Sequence, residues 1–420
     1  MKLLWKFFTS LRLTVWTLGF AIALVFLGTL AQVHEGLWDG QTRWFRSYFV
    51  LRKAGDVWWV PPVFPGGYFI GAVLLLNLLA AHLKRFQLTW RKAGINLTHF
   101  GILLMLVGGL ATDMYSRESV MNLREGGTRF FSEATREHEL VFIRTLDDAR
   151  EEVVAIPTAL LRTGAEVRDA KLPFPVKVKS YWVNSTPDFR APMGKNAAPL
   201  SDKGIAKDWD FSERPETKGM DDRNLPTAIL DLGEHGVWVV PSWASDELLI
   251  ESVKRTYTKS VGAETAAGMA AKMAAPQEVE AGGRKWRMTL RPTRHYNSFS
   301  LTLLKTTHEI YLGTSTSTNP QGIPKNFQSR VRINNPAKGE TREVDIYMNN
   351  PLRYEGLTFF QATMGRDEIV DVGRSGLQVV RNPSWLVPYL SCLLVGIGLT
   401  VQFLYHLIGF ITKRRATVAV

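Results

Sequence analysis

Apolar residues concentrate in four long runs, three near the start of the chain and one near its end. The first extends from Leu13 to Val33. The second reads FPGGYFIGAVLLLNLLAAHL over 64–83, and the third INLTHFGILLMLVGGLAT over 95–112. The fourth runs from Leu386 to Ile411. A helix rising 1.5 Å per residue crosses a ~30 Å hydrocarbon core in about 20 residues, so each run is long enough to span a bilayer. The pattern predicts transmembrane helices at about 13–33, 64–83, 95–112 and 386–411. The basic stretch before the first run and Thr29-Leu30-Ala31 within it resemble a signal peptide. That run is longer than a usual signal core and more spans follow, so it is read as a retained helix.

Between the third and fourth runs the period changes. FPVKVKSYWV (174–183), TAILDL (227–232), GVWVVP (236–241), KWRMTLR (285–291), FSLTLLK (299–305), QSRVRIN (328–334), REVDIYM (342–348) and LTFFQATM (357–364) are short and rich in β-branched and aromatic residues. Several alternate apolar with polar, and turn residues bound them, the mark of half-buried strands. The fold class expected is therefore a four-helix α-helical membrane protein. It carries a large, mostly-β domain over 113–384, built as an antiparallel sandwich or open barrel. Residues 184–226, rich in Pro, Asp, Lys and Gly, are expected to form a long loop. Ala263 to Ala275 reads as an Ala-rich helix without a strong amphipathic stripe. Residues 34–63 carry Trp38, Trp44, Phe45, Tyr48, Phe49, Trp58 and Trp59, and are expected to lie along the membrane surface as an aromatic belt.

Charge orients the spans. The formal net charge of +12 is concentrated in residues 1–112, with 11 Lys and Arg against three acids, and in Lys413, Arg414 and Arg415 after the last span. The middle domain is close to neutral, without the basic face a nucleic-acid binder shows. At roughly 2.5 to 3.5 kcal/mol per charge at mid-bilayer, Lys84, Arg85, Arg91 and Lys92 cannot be buried, so the 84–94 turn lies outside the core. Placing the N-terminus, this turn and the tail together in the cytoplasm satisfies the positive-inside rule and puts 113–384 outside. Arg43, Arg46, Arg52 and Lys53 in the first outer loop run against that rule.

Candidate chemistry is sparse. Cys392 is the single cysteine and lies in an apolar run, so no intrachain disulfide, CxxC pair or cysteine zinc site is possible. No HExxH, GxSxG, Walker or GxGxxG motif occurs among the 420 residues, and no carboxylate–histidine cluster has metal spacing. Three histidines fall in or beside the spans: His82 at the end of the second, His99 about four residues into the third, His406 two-thirds along the fourth. An ionisable residue at membrane depth marks a functional site by default. Each imidazole either bonds a carbonyl or headgroup, or ligates haem iron axially. Gly101, Gly108 and Gly109 allow close helix approach or access for a ring, helix packing being the commoner use.

SLRLTVWTLGFAIALVFLGTLAQ, NLLAAHLKRF, THFGILLMLVGG, FSLTLLKTTHEIYLGT, IPKNFQSRVRI, YMNNPLRYEGLTFFQA and NPSWLVPYL, in this order, resemble the ResB family. These ResB/CcsB-like proteins serve System II cytochrome c biogenesis. The resemblance covers nearly the whole chain and implies a subunit of a haem-export and cytochrome c synthetase complex in a bacterial cytoplasmic membrane. The subunit itself would be non-catalytic, acting with a CcsA/ResC-type membrane partner that attaches haem b to the CxxCH thiols of apocytochrome c. In that scheme a third-span histidine serves as an intramembrane haem ligand, and the matching position is His99; His82 and His406 are weaker candidates. Asp56-Val57-Trp58-Trp59 and Asp208-Trp209-Asp210 are not the tryptophan-rich motif of the partner, so the chain is not the fused synthetase. The alternative is a membrane-anchored interaction protein of the same architecture that binds no haem. The Asn349-Asn350-Pro351 segment, with Tyr354 and Gln361, is expected to serve the fold.

Overall fold

The computed structural model describes residues 2–147, 150–190, 198–219, 222–311, 324–367 and 372–418. A short helix α1 (Lys2–Phe8) leads into α2 (Leu11–Glu35). After a helical turn α3 (Leu37–Gly40) comes a small hairpin of β1 (Phe49–Leu51) and β2 (Val63–Pro65), then α4 (Gly67–Arg85) and α5 (Ala93–Tyr115). The chain returns to the bundle at α8 (Val387–Val418) after two further helices, α6 (Glu247–Val261) and α7 (Ala263–Met273). Among the described residues, four helical segments are long and apolar enough to cross a membrane: Leu11–Glu35, Gly67–Arg85, Trp90–Tyr115 and Val387–Thr412.

Within the bundle, α5 and α8 pack most closely, and three glycines set that distance. Gly94, Gly101 and Gly108 recur every seven residues, so they share one stripe of α5, and all three are buried. A Cβ at Gly94 would stand 2.6 Å from the Gly398 carbonyl, and one at Gly101 2.8 Å from Val395 Cγ2. A Cβ at Gly108 would collide with Val387. The contacts descend α8 as they climb α5, so the two helices are antiparallel. Gly109 has open space where a Cβ would go, so packing is the use of Gly101 and Gly108 and not of Gly109.

The second seam is polar. Asn77 of α4 is completely buried and spends its amide on the start of α2: it donates to the Phe8 and Ser10 carbonyls at 2.8 and 3.1 Å and accepts from Thr14 Oγ1 at 2.6 Å. Lys84 Nζ reaches Thr9 Oγ1 at 3.2 Å. The seams bring the start of α2, the end of α4, the start of α5 and the end of α8 to one end of the bundle. That end carries the basic turn.

The 34–63 stretch is a folded cap, with Tyr48 and Phe49 among its exposed aromatics. Trp44, Val50 and Val60 are buried with Leu24, Ala31 and Ile70, and Phe45, Trp59 and Phe64 pack on them; Trp58 stays exposed. Arg43 holds the cap closed. Its guanidinium donates to Glu35 at 2.6 Å, to the Leu51 carbonyl at 2.7 Å and to both carboxylate oxygens of Asp56. Arg46 pairs with Asp113 at 2.9 Å, and Arg52 donates to the Trp58 carbonyl at 3.2 Å. The arginines that run against the charge rule are thus bound by carboxylates and carbonyls of their own end.

Between α5 and α8 the described residues form sixteen strands. In order they are β3 (Arg117–Arg124), β4 (Thr128–Asp147), β5 (Arg150–Pro157), β6 (Glu166–Val167), β7 (Val176–Trp182), β8 (Ser185–Phe189), β9 (Trp209–Glu213), β10 (Thr227–Asp231), β11 (Val237–Pro241) and β12 (Gln277–Ala281). The rest are β13 (Arg284–Ile310), β14 (Pro324–Asn335), β15 (Glu340–Tyr347), β16 (Leu352–Tyr354), β17 (Leu357–Asp367) and β18 (Val372–Arg381). A ten-stranded antiparallel sheet runs β15-β14-β13-β4-β3-β18-β17-β16, with β12 paired to β13 and β5 to β4. A four-stranded sheet runs β11-β10-β7-β6.

These sheets enclose two cores. In one, Leu140, Phe142, Trp286 and Leu290 of the large sheet face Val176, Leu230 and Val240 of the small sheet, as in a sandwich. In the other, the large sheet curls on itself around Leu301, Ile333, Phe359 and Leu377. Tyr354 of β16 closes the curl, accepting from Asn335 at 3.0 Å and donating to Glu340 at 2.7 Å. Strand β13 contributes to both cores, and β4 pairs along it. Their register shifts at Pro292/Arg294 and Tyr296/Leu301, where the missing proline N–H and the extra residues let the pair bend. Two ion pairs lie at this bend, Arg291 with Glu139 at 2.9 Å and Arg294 with Glu133 at 3.0 Å.

Two sequence expectations need correcting. The 184–226 stretch contains the hairpin β8–β9 and buries Ile205, Trp209 and Phe211 against Val253, Met269 and Met273; its residues 191–197 and 220–221 lie outside those described. Helix α7 does have a buried stripe, Ala266, Met269, Ala270 and Met273, hidden in the sequence because half of it is alanine.

Two outcomes test this architecture. Gly94→Val forces α5 from a backbone carbonyl that cannot move aside, and overpacking of that kind costs about 1–3 kcal/mol. Gly109→Ala meets nothing and gains about 0.5–1 kcal/mol of helix propensity. The first should lower, and the second hold or raise, the melting temperature in detergent; equal effects would refute the seam. The Arg43 guanidinium holds the Asp56 carboxyl down to about 2, against 3.8 for the free group. A carboxyl depressed on folding stabilises above its unfolded pKa and loses that contribution as pH falls through its folded one. Melting should therefore keep the Asp56 contribution down to about pH 4 and lose it toward about 2. Asp56→Asn should lack it at neutral pH and converge with the native chain in acid.

Candidate functional site

Antiparallel packing of α4 and α5 around the 86–92 turn brings two of the three span histidines together. The rings of His82 and His99 stand 5.8 Å apart, centroid to centroid, with 22° between their planes. They come from positions 17 apart in the chain, one in the last turn of α4 and one in the second turn of α5. His99 is exposed on the bundle surface and His82 half-buried. Phe86 lies 5.5 Å from the His82 ring. Leu83, Ile95, Phe100 and Ile102, their neighbours in sequence or one helical turn away, are also exposed.

The hydrogen bond at His99 decides which nitrogen is available. Its Nδ1 stands 2.9 Å from the Ile95 carbonyl, one turn back on α5. A carbonyl can only accept, so Nδ1 carries the proton and Nε2 keeps its lone pair, pointing off the helix. This is the tautomer a ligating imidazole requires, with the second nitrogen bonded to fix the ring. His406 differs. Its Nε2 lies 2.8 Å from the Gln402 side-chain amide on its own helix, and its ring contacts Tyr405. It does not join the other two.

A haem macrocycle needs an axial donor and an apolar enclosure, and the chain supplies these unequally. The donor is present at His99 Nε2. An apolar groove of about 600 Å³, lined by Trp5, Phe8, Leu76, Leu79, Ala80 and Leu83, opens between α1 and α4. At 100° per residue, His82 projects about 110° from the centre of that lining, so the groove and the histidine pair occupy different faces. The pair lies on an open, apolar surface. The residues therefore fit a single imidazole donor to an iron, without an apolar enclosure around it.

Of the remaining histidines, His34 lies in the last turn of α2 and the others lie in the β-domain. His138 is buried, and burial holds it down to about 4, so it is neutral; it bonds the Arg136 carbonyl. His308 stacks near Phe327, and His235 near Phe174. Among the described residues, no group of three or more His, Cys, Asp or Glu could hold a metal ion. Asn349 adopts a positive φ of 63° in the turn closed by the Tyr347–Asn350 bridge, and Gln361 accepts from Ser329 at 2.6 Å. Both belong to the fold, as does Tyr354. Sequence reasoning passed over Asn77 and took Arg43 only as a charge against the positive-inside rule, yet both are polar hubs. The available signal at Asn77 was a lone amide within an apolar span.

The sequence model of the ResB-like family matches residues 281–374, a segment from the end of β12 into β18. FSLTLLKTTHEIYLGT, IPKNFQSRVRI and YMNNPLRYEGLTFFQA fall inside it, although residues 312–323 lie outside those described. The span motifs and His82, His99 and His406 fall outside the matched segment. No curated protein matches the chain. The matched segment forms the curled half of the β-domain, between β12 and the last strand before α8, and in that segment the chain is similar to the ResB-like family.

Proposed function

We propose that this chain is the non-catalytic subunit of a haem-export and cytochrome c synthetase complex. In this reading His99 supplies one axial ligand to haem b in transit, and a CcsA/ResC-type membrane partner supplies the other side of the iron and the enclosure. The haem is cargo, bound for thioether attachment to the CxxCH thiols of apocytochrome c. The bundle lies in a bacterial cytoplasmic membrane with the basic end and both termini inside. The β-domain lies outside, where apocytochrome is presented.

One observation carries the reading: His99 is held by the Ile95 carbonyl with Nε2 free, beside His82, on an exposed face of the bundle. A polar side chain that merely serves packing at membrane depth is buried and satisfied, as Asn77 is. His99 is neither buried nor satisfied at its second nitrogen. His82, 5.8 Å away, is placed to steady the His99 ring or to take the iron in its turn. His406 is expected to be dispensable, because Gln402 occupies its Nε2.

The test is the absorption spectrum and haem content of the chain purified in detergent with its partner. His99→Ala should reduce the Soret band about tenfold or more, with recovery on adding imidazole, since an axial ligand is what is lost. His82→Ala should weaken the band, and His406→Ala should leave it unchanged. An undiminished Soret band in His99→Ala, with native yields of cytochrome c, would leave the chain as a membrane-anchored interaction protein that handles no haem.

A further inference from the structure

We propose that the foot of the β-domain, where it meets the bundle, holds a binding site for a phosphate group, in the position of a phospholipid headgroup. A cleft of about 310 Å³ opens there, with Arg117, Arg381, Ser119, Ser132, His295 and Asn297 in its lining. Arg117 opens β3, two residues past the end of α5 at Tyr115. Arg381 closes β18, six residues before α8 begins at Val387.

These two arginines are direct cross-strand partners in the β3–β18 register. Like charges directly opposite in an antiparallel pair repel. Neither guanidinium has a hydrogen bond or ion pair among the described residues. Glu137 acts on His295 from nearby, and the other carboxylates around the cleft are engaged elsewhere. Glu355 lines the cleft but is bound by Lys338, and Glu139 by Arg291. Glu118, the next residue on β3, accepts from Gln378 at 3.1 Å.

A second observation points to a ligand independently of the charge. His295 Nε2 and Asn297 Nδ2 are shielded from solvent, yet neither has a protein partner. Buried polar atoms are nearly always bonded, and the exceptions need an explanation. Both belong to side chains that line this cleft. Two unpaired guanidiniums and two unbonded nitrogens thus converge on the cleft. A tetrahedral oxyanion supplies several acceptor oxygens at once, and the planar fork of arginine matches phosphate.

The surroundings favour a lipid source over a free ion. Trp385 and Tyr389 are exposed at the start of α8, and the Arg353 guanidinium stands 4.7 Å over the Trp385 ring. Exposed amphipathic rings at the end of a span mark the headgroup layer. A phosphate of that layer can reach the cleft while its acyl chains remain beside α5 and α8.

The probes are phosphatidylglycerol, followed by native mass spectrometry of the full chain in detergent, and inorganic phosphate, followed by calorimetry. The variants are the double replacement Arg117→Gln with Arg381→Gln, and separately Asn297→Asp, which places a carboxylate in the cleft. Arg353→Gln, outside the cleft, is the control. Phosphatidylglycerol retention should fall about tenfold or more in both cleft variants and hold in the control, because charge-assisted phosphate contacts are removed or pre-empted. The same pattern with inorganic phosphate alone would support the site with a free ion as its source. Binding of both probes at native levels in the cleft variants, or of neither to the native chain, overturns it. Circular dichroism of each variant separates loss of binding from loss of fold, and Asn297→Asp stands in if the double replacement does not fold.

Discussion

The glycine seam between α5 and α8 is the contact on which the rest of the structure depends. The two helices are far apart in sequence, yet they are the stalks from which the whole β-domain hangs. Helix α5 runs into β3 and α8 follows β18, and those two strands are neighbours in the sheet, paired from Arg117↔Arg381 to Arg124↔Arg374. Helix pair and strand pair thus form one continuous antiparallel ribbon. Its helical half is held together where Gly94, Gly101 and Gly108 face α8 and where Gly398 of α8 faces Thr98 of α5. In a bilayer there is little hydrophobic gain from bringing helices together, so close backbone approach has to supply the contact. A side chain at any of the three positions would push the strands apart as well as the helices.

The polar residues in the bundle divide by whether their bonding capacity is used. Asn77 is buried and makes three hydrogen bonds across the α2–α4 seam. Arg43 does the same at the other end of the bundle, tying Glu35, Leu51 and Asp56 into a cap that covers Trp44. Both are structural, and both explain why otherwise awkward residues sit where they do. His99 uses one nitrogen locally and leaves the other open on the surface. The contrast between satisfied and unsatisfied polar atoms, more than depth or residue type, sets it apart from Asn77 and Arg43.

The spans were legible in the sequence because a bilayer imposes a length and a composition that few other settings do. The strands were legible wherever apolar and polar residues alternate: all eight runs so identified lie in strands or overlap them. Those missed carry charge along much of their length. Strand β4, TRFFSEATREHELVFIRTLD, hides its buried Leu140 to Ile143 among charged neighbours whose partners, such as Arg291 and Arg294, come from a strand 150 residues away. The 184–226 stretch read as a loop because its buried Trp209 and Phe211 are few and its partners lie on α6 and α7. His99 could be found alone, but its pairing with His82 could not. Position 82 lies at the end of one helix and 99 in the next, and only the geometry of the turn between them decides whether the rings meet.

The paired arginines at the foot of the domain follow from the same constraint as the seam. Helices that touch through glycine leave the membrane close together, and the strands that continue them must pair at once, with opposed Cα atoms about 5 Å apart. Whatever residues occupy that first pair are forced together, and here they are Arg117 and Arg381. The sequence separates them by more than half the chain and gives no hint that they meet. A fold free to choose would place a carboxylate opposite one of them, as it does for Arg291 and Arg294. That it instead leaves two guanidiniums beside two unbonded buried nitrogens, at the level where exposed Trp385 and Tyr389 mark the membrane boundary, means the compensating charge belongs to the surroundings. The seam that assembles the domain thereby also assembles a cation pair at the bilayer surface.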